Sequence, residues 1–234
     1  MTERTAPSLD RGRDHFQVGP SVLRWQNDRA IVDFDEWAAP IPKRTRGRVT
    51  IVPHATTRSS FQIDDAGRHA WWPIAPSAHI KVELLDPALT WTGHGYMDTN
   101  MGSEPLEAGF KRWDWSRAEL GSRAALLYDA TTKTGANRSV SLLCDSNGEV
   151  EPIEAPPRTT LGKTGWGIQR GTQSDGEARV VKTLEDTPFY ARSVVETEFG
   201  GRTATAMHET LDCDRFASNW VRMLLPWKMP RRFI

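Results

Sequence analysis

Apolar and polar residues alternate with a period of two along most of the chain, the spacing that puts one set of side chains on each face of a β-strand. In residues 79–86, Ile80, Val82 and Leu84 share one face while Lys81 and Glu83 share the other. In residues 30–37, Val32 and Phe34 oppose Asp33 and Asp35. Both segments are expected to be half-buried strands. Further strand candidates cover residues 48–52, 124–128, 139–144, 178–184, 193–199 and 203–211. Clusters of Gly, Pro, Asn and Asp separate them at the spacing of sandwiches and barrels, so the fold class is expected to be all-β.

One segment breaks the period. Asp214 is placed to cap residues 215–225, where Phe216, Trp220 and Leu224, with Val221 and Leu225, recur at helical spacing. A short C-terminal helix packed on a barrel is the expectation. Residues 103–120 are mixed, since Leu106, Phe110 and Trp113 suggest a helical turn or a long connection between two β units. The domain junction is therefore placed near Pro105, between an N-terminal β domain of residues 1–105 and a C-terminal β domain of residues 106–234. The Pro/Arg-rich opening and the EAPPR stretch near Pro156 read as exposed loops.

Composition narrows the function. The 234 residues carry 30 Lys+Arg against 30 Asp+Glu, so no global field draws the chain to nucleic acid, an anionic membrane or an acidic substrate. Nucleic acid is accordingly not an expected partner. Cys144 and Cys213 lack the CxxC or Cys/His spacing of a metal site and read as reduced thiols in a cytoplasmic setting. No apolar run of about 18 residues is present to span a bilayer. The opening MTERTAPSLDRGRDHF lacks the apolar core of a secretory leader, so a soluble or peripheral protein is expected. Ten tryptophans against three tyrosines stand out, because indole combines a large apolar area with a π face that attracts cations.

Five of those tryptophans lie between Arg68 and Arg117. On a strand His69 and Trp71 point the same way, as do Tyr96 and Asp98. If both pairs face inward, an imidazole, an indole, a phenol and a carboxyl share one cavity suited to acid chemistry on a neutral, apolar substrate. A buried carboxyl stays protonated because burial disfavours its charged form. Asp98 is the candidate acid, Trp71 and Tyr96 are candidates to shield a carbocation, and His69 is a candidate to orient or deprotonate water. Plainer roles remain open for each: an Asp closing a turn, a solvated His, tryptophans that fill a core. On paper His69, His79, His94 and Asp98 also make a metal set, and Asp98 with Glu104 or Asp114 a glycosidase pair, although no metal-binding or carboxylate spacing selects either. No nucleophile elbow and no phosphate-binding loop is present. No cofactor and no metal are expected.

With these residues in view, the chain resembles the acyclic carotenoid 1,2-hydratases, or hydroxyneurosporene synthases, of the lipocalin-like superfamily. The resemblance is carried by MTERTAPSLDRGRD, GPSVLRW, AGRHAWWPIAP, GHGYMDTNMGSEPLEAGFKRWDWSRAEL, LEDTPFYARS, HETLDCDRFASNWVRMLLP and MPRR, and it spans essentially the whole chain. It implies cofactor-free hydration of the C1–C2 double bond of acyclic carotenoids such as neurosporene and lycopene, by protonation at C2 and capture of the C1 cation by water. It also implies that His69 and Trp71 in an HxW stretch, and Tyr96 and Asp98 in a GYxD stretch, are functional, with Asp98 as proton donor. The implied fold is two lipocalin-like antiparallel β domains. Relatives carry an aromatic-rich stretch upstream of MTER, so the first domain is expected to lack strands, and Met101 stands where relatives often have Trp. An acyclic carotenoid partitions into membranes, which makes peripheral contact with the inner or photosynthetic membrane an expectation. The segment from Asn219 to the end suits that contact, joining Trp220, Leu224, Leu225, Trp227 and Phe233 with Arg222, Lys228, Arg231 and Arg232. Two other readings remain: a lipocalin-like binder of an apolar ligand, and a cofactor-free cyclase on the same fold.

Overall fold

The computed structural model describes residues 5–38 and 41–225. After a 3-10 turn at Ala6–Ser8 come β1 (Leu9–Arg11), β2 (His15–Val18), β3 (Ser21–Gln26), β4 (Arg29–Ala38), β5 (Lys43–Pro53), β6 (Phe61–Gln62), β7 (His69–Asp86) and β8 (Ala88–Gly102). A single helical turn, α1 (Leu106–Gly109), precedes β9 (Phe110–Leu120), β10 (Arg123–Thr132), β11 (Asn137–Asp145), β12 (Val150–Pro152) and β13 (Arg158–Leu161). Then follow β14 (Arg170–Gln173), β15 (Arg179–Asp186), β16 (Tyr190–Phe199), β17 (Arg202–Asp212), α2 (Cys213–Phe216) and α3 (Asn219–Leu224). The chain is all-β with antiparallel sheets, as the alternation predicts, and has short C-terminal helices; each strand candidate lies within an observed strand except that at 178–184, whose first residue precedes β15.

Two compact units are interleaved along the sequence, whereas the sequence reading places a contiguous junction near Pro105. Among the described residues, 5–38, 41–56, 75–97 and 223–225 form one unit, and 57–74 and 98–222 the other. The long strands β7 and β8, of 18 and 15 residues, each contribute to both.

In the first unit, β1 to β5 form a meander that continues onto β7, and β8 pairs with β7. Register follows from the hydrophobic pattern: Val32 lies opposite Val49, and Val49 opposite Val82. A one-residue slip would turn these valines to the other face. That face carries cross-strand ion pairs, in which Asp33 accepts from Arg48 Nε at 2.6 Å and pairs with Arg24, and Asp35 accepts from Arg44 Nε at 2.7 Å. Hydrogen bonds from these guanidinium groups hold the Asp33 and Asp35 carboxyls below their usual range.

In the second unit, seven strands run in the order β12-β11-β10-β9-β17-β16-β15. One face of this sheet packs against the β13–β14 ribbon. Its apolar part is built from small residues, Ala118, Ala125, Ala204 and Ala206, around Leu161 and Val195, which lets the two layers approach closely. Its polar part is organised around Asp114, which accepts from Gly171 N at 3.2 Å, Thr210 Oγ1 at 2.6 Å and Arg158 Nη2 at 2.8 Å. His208, fully buried, donates Nε2–H to Gly171 O at 2.7 Å. Burial depresses the His208 imidazole below its ordinary range and pushes the Asp129 carboxyl up. The opposite face is aromatic, and the register aligns Tyr128, Trp115, Glu209 and Arg192 in one row across four strands, with Ala130, Trp113, Leu211 and Tyr190 in the next.

Three local expectations are corrected. The helical turn expected within residues 103–120 is confined to α1, and residues 110–120 form a strand: Trp113 and Trp115 alternate with Asp114 and Ser116, and both faces are covered, so polarity does not mark the period. The helix cap is Asp212, whose side chain accepts from Arg215 N at 3.0 Å, while Asp214 pairs with Lys133. The expected single helix is broken at Ser218, whose hydroxyl donates back to Arg215 O at 2.5 Å and closes the first turn. Val221 and Leu225 are buried as the spacing predicts, but Trp220 is 49% exposed. Trp227, Lys228, Arg231, Arg232 and Phe233 lie outside the described residues. Among the described residues, no helix is long and apolar enough to cross a membrane. Cys144 and Cys213 are free and buried, as expected of reduced thiols.

Candidate active site

The second unit gathers three of the four sequence-derived candidates. Trp71 and His69 share the buried face of β7, at 0% and 4% exposure. Asp98 is half-buried on β8. The indole Nε1 of Trp71 donates to Asp98 Oδ2 at 2.8 Å, which joins the two motif stretches directly. Tyr96 precedes Asp98 by two residues on β8 and is half-buried. His79 and His94, members of the paper metal set, are exposed.

Trp71 sits in a run of rings. Phe61 is its cross-strand partner on β6, with centroids 6.3 Å apart. On its other side Tyr128 lies 5.2 Å away, and Tyr128 in turn lies 5.8 Å from Trp113. The aromatic face of the seven-stranded sheet thus meets the residue that holds Asp98. Tyr128 is 2% exposed, and its phenol is pushed well above its usual range, first by burial and then by the nearby charge of Asp98. Its hydroxyl and the Trp113 indole nitrogen are buried and make no hydrogen bond among the described residues. Trp113 lies within the aromatic stretch singled out from the sequence, but Tyr128 does not. Its segment, AALLYDA, reads as an ordinary apolar strand, and only the long-range pairing reveals which face meets Trp71.

His69 is held by its surroundings on every side. Its backbone N–H donates to Asp64 Oδ1 at 2.9 Å, its Nε2 lies 3.3 Å from Glu104 Oε1, and its ring meets the edge of Phe110 at 4.8 Å. Two glycines make room for it: a Cβ at Gly102 would lie 2.7 Å from Nδ1, and one at Gly109 would lie 2.6 Å from Nε2. Beside it Ser103 N donates to Arg68 O at 3.0 Å, and Arg68 Nη1 donates to Glu104 Oε2 at 2.9 Å. The cluster ties the start of β7 to the end of β8, a few residues from where Trp71 meets Asp98. Of the two carboxylates considered as glycosidase partners for Asp98, Glu104 is engaged with His69 and Arg68, and Asp114 points to the ribbon face. Met101, at the end of β8, is 44% exposed.

The arrangement is a carboxyl fixed by an indole, beside an aromatic surface with two buried polar atoms in reserve. Such an arrangement can hold a proton donor beside aromatic faces that attract cations. The family model described as "Carotenoid hydratase CrtC" matches residues 1–234. The acyclic carotenoid 1,2-hydratase of Thiocapsa roseopersicina is 50% identical over 99% of this chain and 58% of its own length. That of Rubrivivax gelatinosus is 45% identical, again over 99% of this chain and 58% of its own. The chain thus spans just over half the length of these two curated relatives. A crystal structure of kievitone hydratase from Nectria haematococca matches in fold, with a TM-score of 0.52 at 11% identity over 84% of this chain and 70% of that one. Matched over its whole length, the chain belongs to the carotenoid hydratase CrtC family.

Proposed function

We propose that the protein hydrates the terminal C1–C2 double bond of an acyclic carotenoid, with Asp98 as general acid and no cofactor. The observation that carries this reading is the hydrogen bond from Trp71 Nε1 to Asp98 Oδ2. An indole nitrogen only donates. Oδ2 is therefore committed as an acceptor, and the acidic proton rides on Oδ1. Because Trp71 is fully buried, it holds the carboxyl in one orientation.

An alkene is so weak a base that its protonation needs a donor aimed at the π bond and sheltered from competing bases. Transfer of the Oδ1 proton to C2 leaves a tertiary cation at C1. Aromatic faces stabilise such a cation by up to about 2 kcal/mol for a desolvated contact. Tyr96, on the same strand as Asp98, and the rings beside Trp71 are the candidates for this role. Water adds to C1, and its surplus proton returns to the Asp98 carboxylate, which restores the acid and leaves a 1-hydroxy carotenoid. His69, enclosed by Glu104, Phe110 and two glycines, acts as the positioning residue that keeps the Trp71 and Asp98 segments together.

The names of the relatives support the substrate class. A long polyene is held by membranes and not by water, so we place the protein at a membrane surface. Exposed Trp220 and Met223 on α3 support the expectation that the C-terminal segment contacts the headgroup boundary. Incubation of the purified protein with detergent-dispersed lycopene or neurosporene in ¹⁸O-labelled water tests the reading. The expected product is heavier by one labelled water. Binding without a new product would favour the carrier reading, and an isomer of unchanged mass the cyclase.

A further inference from the structure

We propose that Tyr128 is a further catalytic residue of this site, its hydroxyl holding the water that captures the carbocation. The inference rests on the hydration reading and supplies what that reading lacks, a group to place the nucleophile. An unpartnered buried hydroxyl is costly, and a phenylalanine at this position would avoid the cost. Tyr128 accepts it: the side chain is 2% exposed, and its oxygen bonds to nothing among the described residues. Trp113 Nε1 is a second buried polar atom in the same condition, on the neighbouring ring 5.8 Å away. Both residues project from the aromatic face of the seven-stranded sheet, and Tyr128 packs 5.2 Å from Trp71, the residue that holds the acid.

A buried water needs two or more polar partners. A phenol hydroxyl can donate or accept and an indole N–H only donates, so the two together suit a water better than either alone. A water that donates one hydrogen to Tyr128 Oη keeps a lone pair for C1. Burial favours the neutral phenol, and so does the Asp98 carboxylate once its proton has left, so the site presents a hydrogen-bonding hydroxyl and not a phenolate that would itself trap the cation. His69 is another buried ring nearby, but its Nε2 lies at Glu104 and its Nδ1 against Gly102. In the step itself the water oxygen forms a bond to C1, and one of the water protons passes to the Asp98 carboxylate. Tyr128 ends the cycle unchanged.

The cation has two fates, capture by water or return of a proton to solvent, and this makes the proposal measurable. In D₂O, proton return from C2 leaves deuterium at C2 of recovered substrate. For Tyr128→Phe the hydration rate should fall by about tenfold or more, the loss expected for one transition-state hydrogen bond, with KM nearly unchanged. Exchange should persist, so the ratio of exchange to hydration rises by a similar factor. Trp113→Phe should raise the same ratio to a smaller extent and decides the matter if Tyr128→Phe does not fold. An unchanged ratio, or loss of exchange together with hydration, would overturn the assignment. Absence of hydration by the wild-type protein would instead count against the hydratase reading itself.

Discussion

Trp71 donates its indole N–H to Asp98 Oδ2 across 2.8 Å, although 27 residues separate them in sequence. Substitution by Phe keeps an aromatic ring but removes the donor. A hydrogen bond to an ionisable carboxyl contributes about 1.5–3 kcal/mol, so Trp71→Phe should lower kcat by roughly tenfold to a hundredfold, with a smaller change in KM. Parallel loss in binding and turnover would mark Trp71 as a simple wall.

The glycines beside His69 are expected to be intolerant. Gly109→Ala would put a Cβ 2.6 Å from His69 Nε2, and Gly102→Ala one 2.7 Å from Nδ1. Each should destabilise the fold by about 1–3 kcal/mol in urea titrations, the usual cost of overpacking. Gly162→Ala is the control, since nothing lies within 4 Å of its Cβ position. Equal midpoints for Gly109→Ala and Gly162→Ala would show that the His69 enclosure is loose.

His208 gives stability a pH dependence of definite sign. Burial lowers its folded-state pKa below the unfolded value, so the unfolded chain takes up the proton first. Its contribution is complete above about pH 6.5, the unfolded imidazole value, and is lost as the pH falls through the depressed folded value. His208→Gln can still donate to Gly171 O but cannot titrate. The variant should lose less stability than the wild type between about pH 7 and pH 5, and identical slopes would contradict the assignment.

Both thiols should be silent in the native protein. Cys144 is pushed up to about 11 and Cys213 to about 12, in each case mainly by burial. Alkylation needs the thiolate and access to it. Intact-mass measurement after iodoacetamide at pH 8 should find no adduct without denaturant and two with it. Rapid native labelling of either cysteine would show that its segment opens.

The all-β architecture is readable from the sequence because alternation directly records which side chain faces which way. It fails where both faces are covered: Trp115 is 7% exposed and Asp114, on the other face, 2%, so the strand at 110–120 looks irregular. The helix cap is not legible in the sequence because Asp212 and Asp214 are equally good capping residues by type, and only the bond to Arg215 N separates them. His69, Trp71, Tyr96 and Asp98 stand out as motif residues. That Trp71 bonds Asp98 depends on how β7 and β8 pair, and that Tyr128 meets Trp71 depends on contacts between residues far apart in sequence. Neither relationship leaves a local pattern.

The central claim, that Asp98 delivers the proton, is tested most directly by Asp98→Asn. The amide has nearly the same shape and still accepts from Trp71 through its carbonyl oxygen, but it has no acidic proton to give. With folding checked by circular dichroism, hydration of lycopene measured by mass should fall to the background of the uncatalysed reaction. A folded Asp98→Asn protein that keeps most of the wild-type turnover would contradict the account.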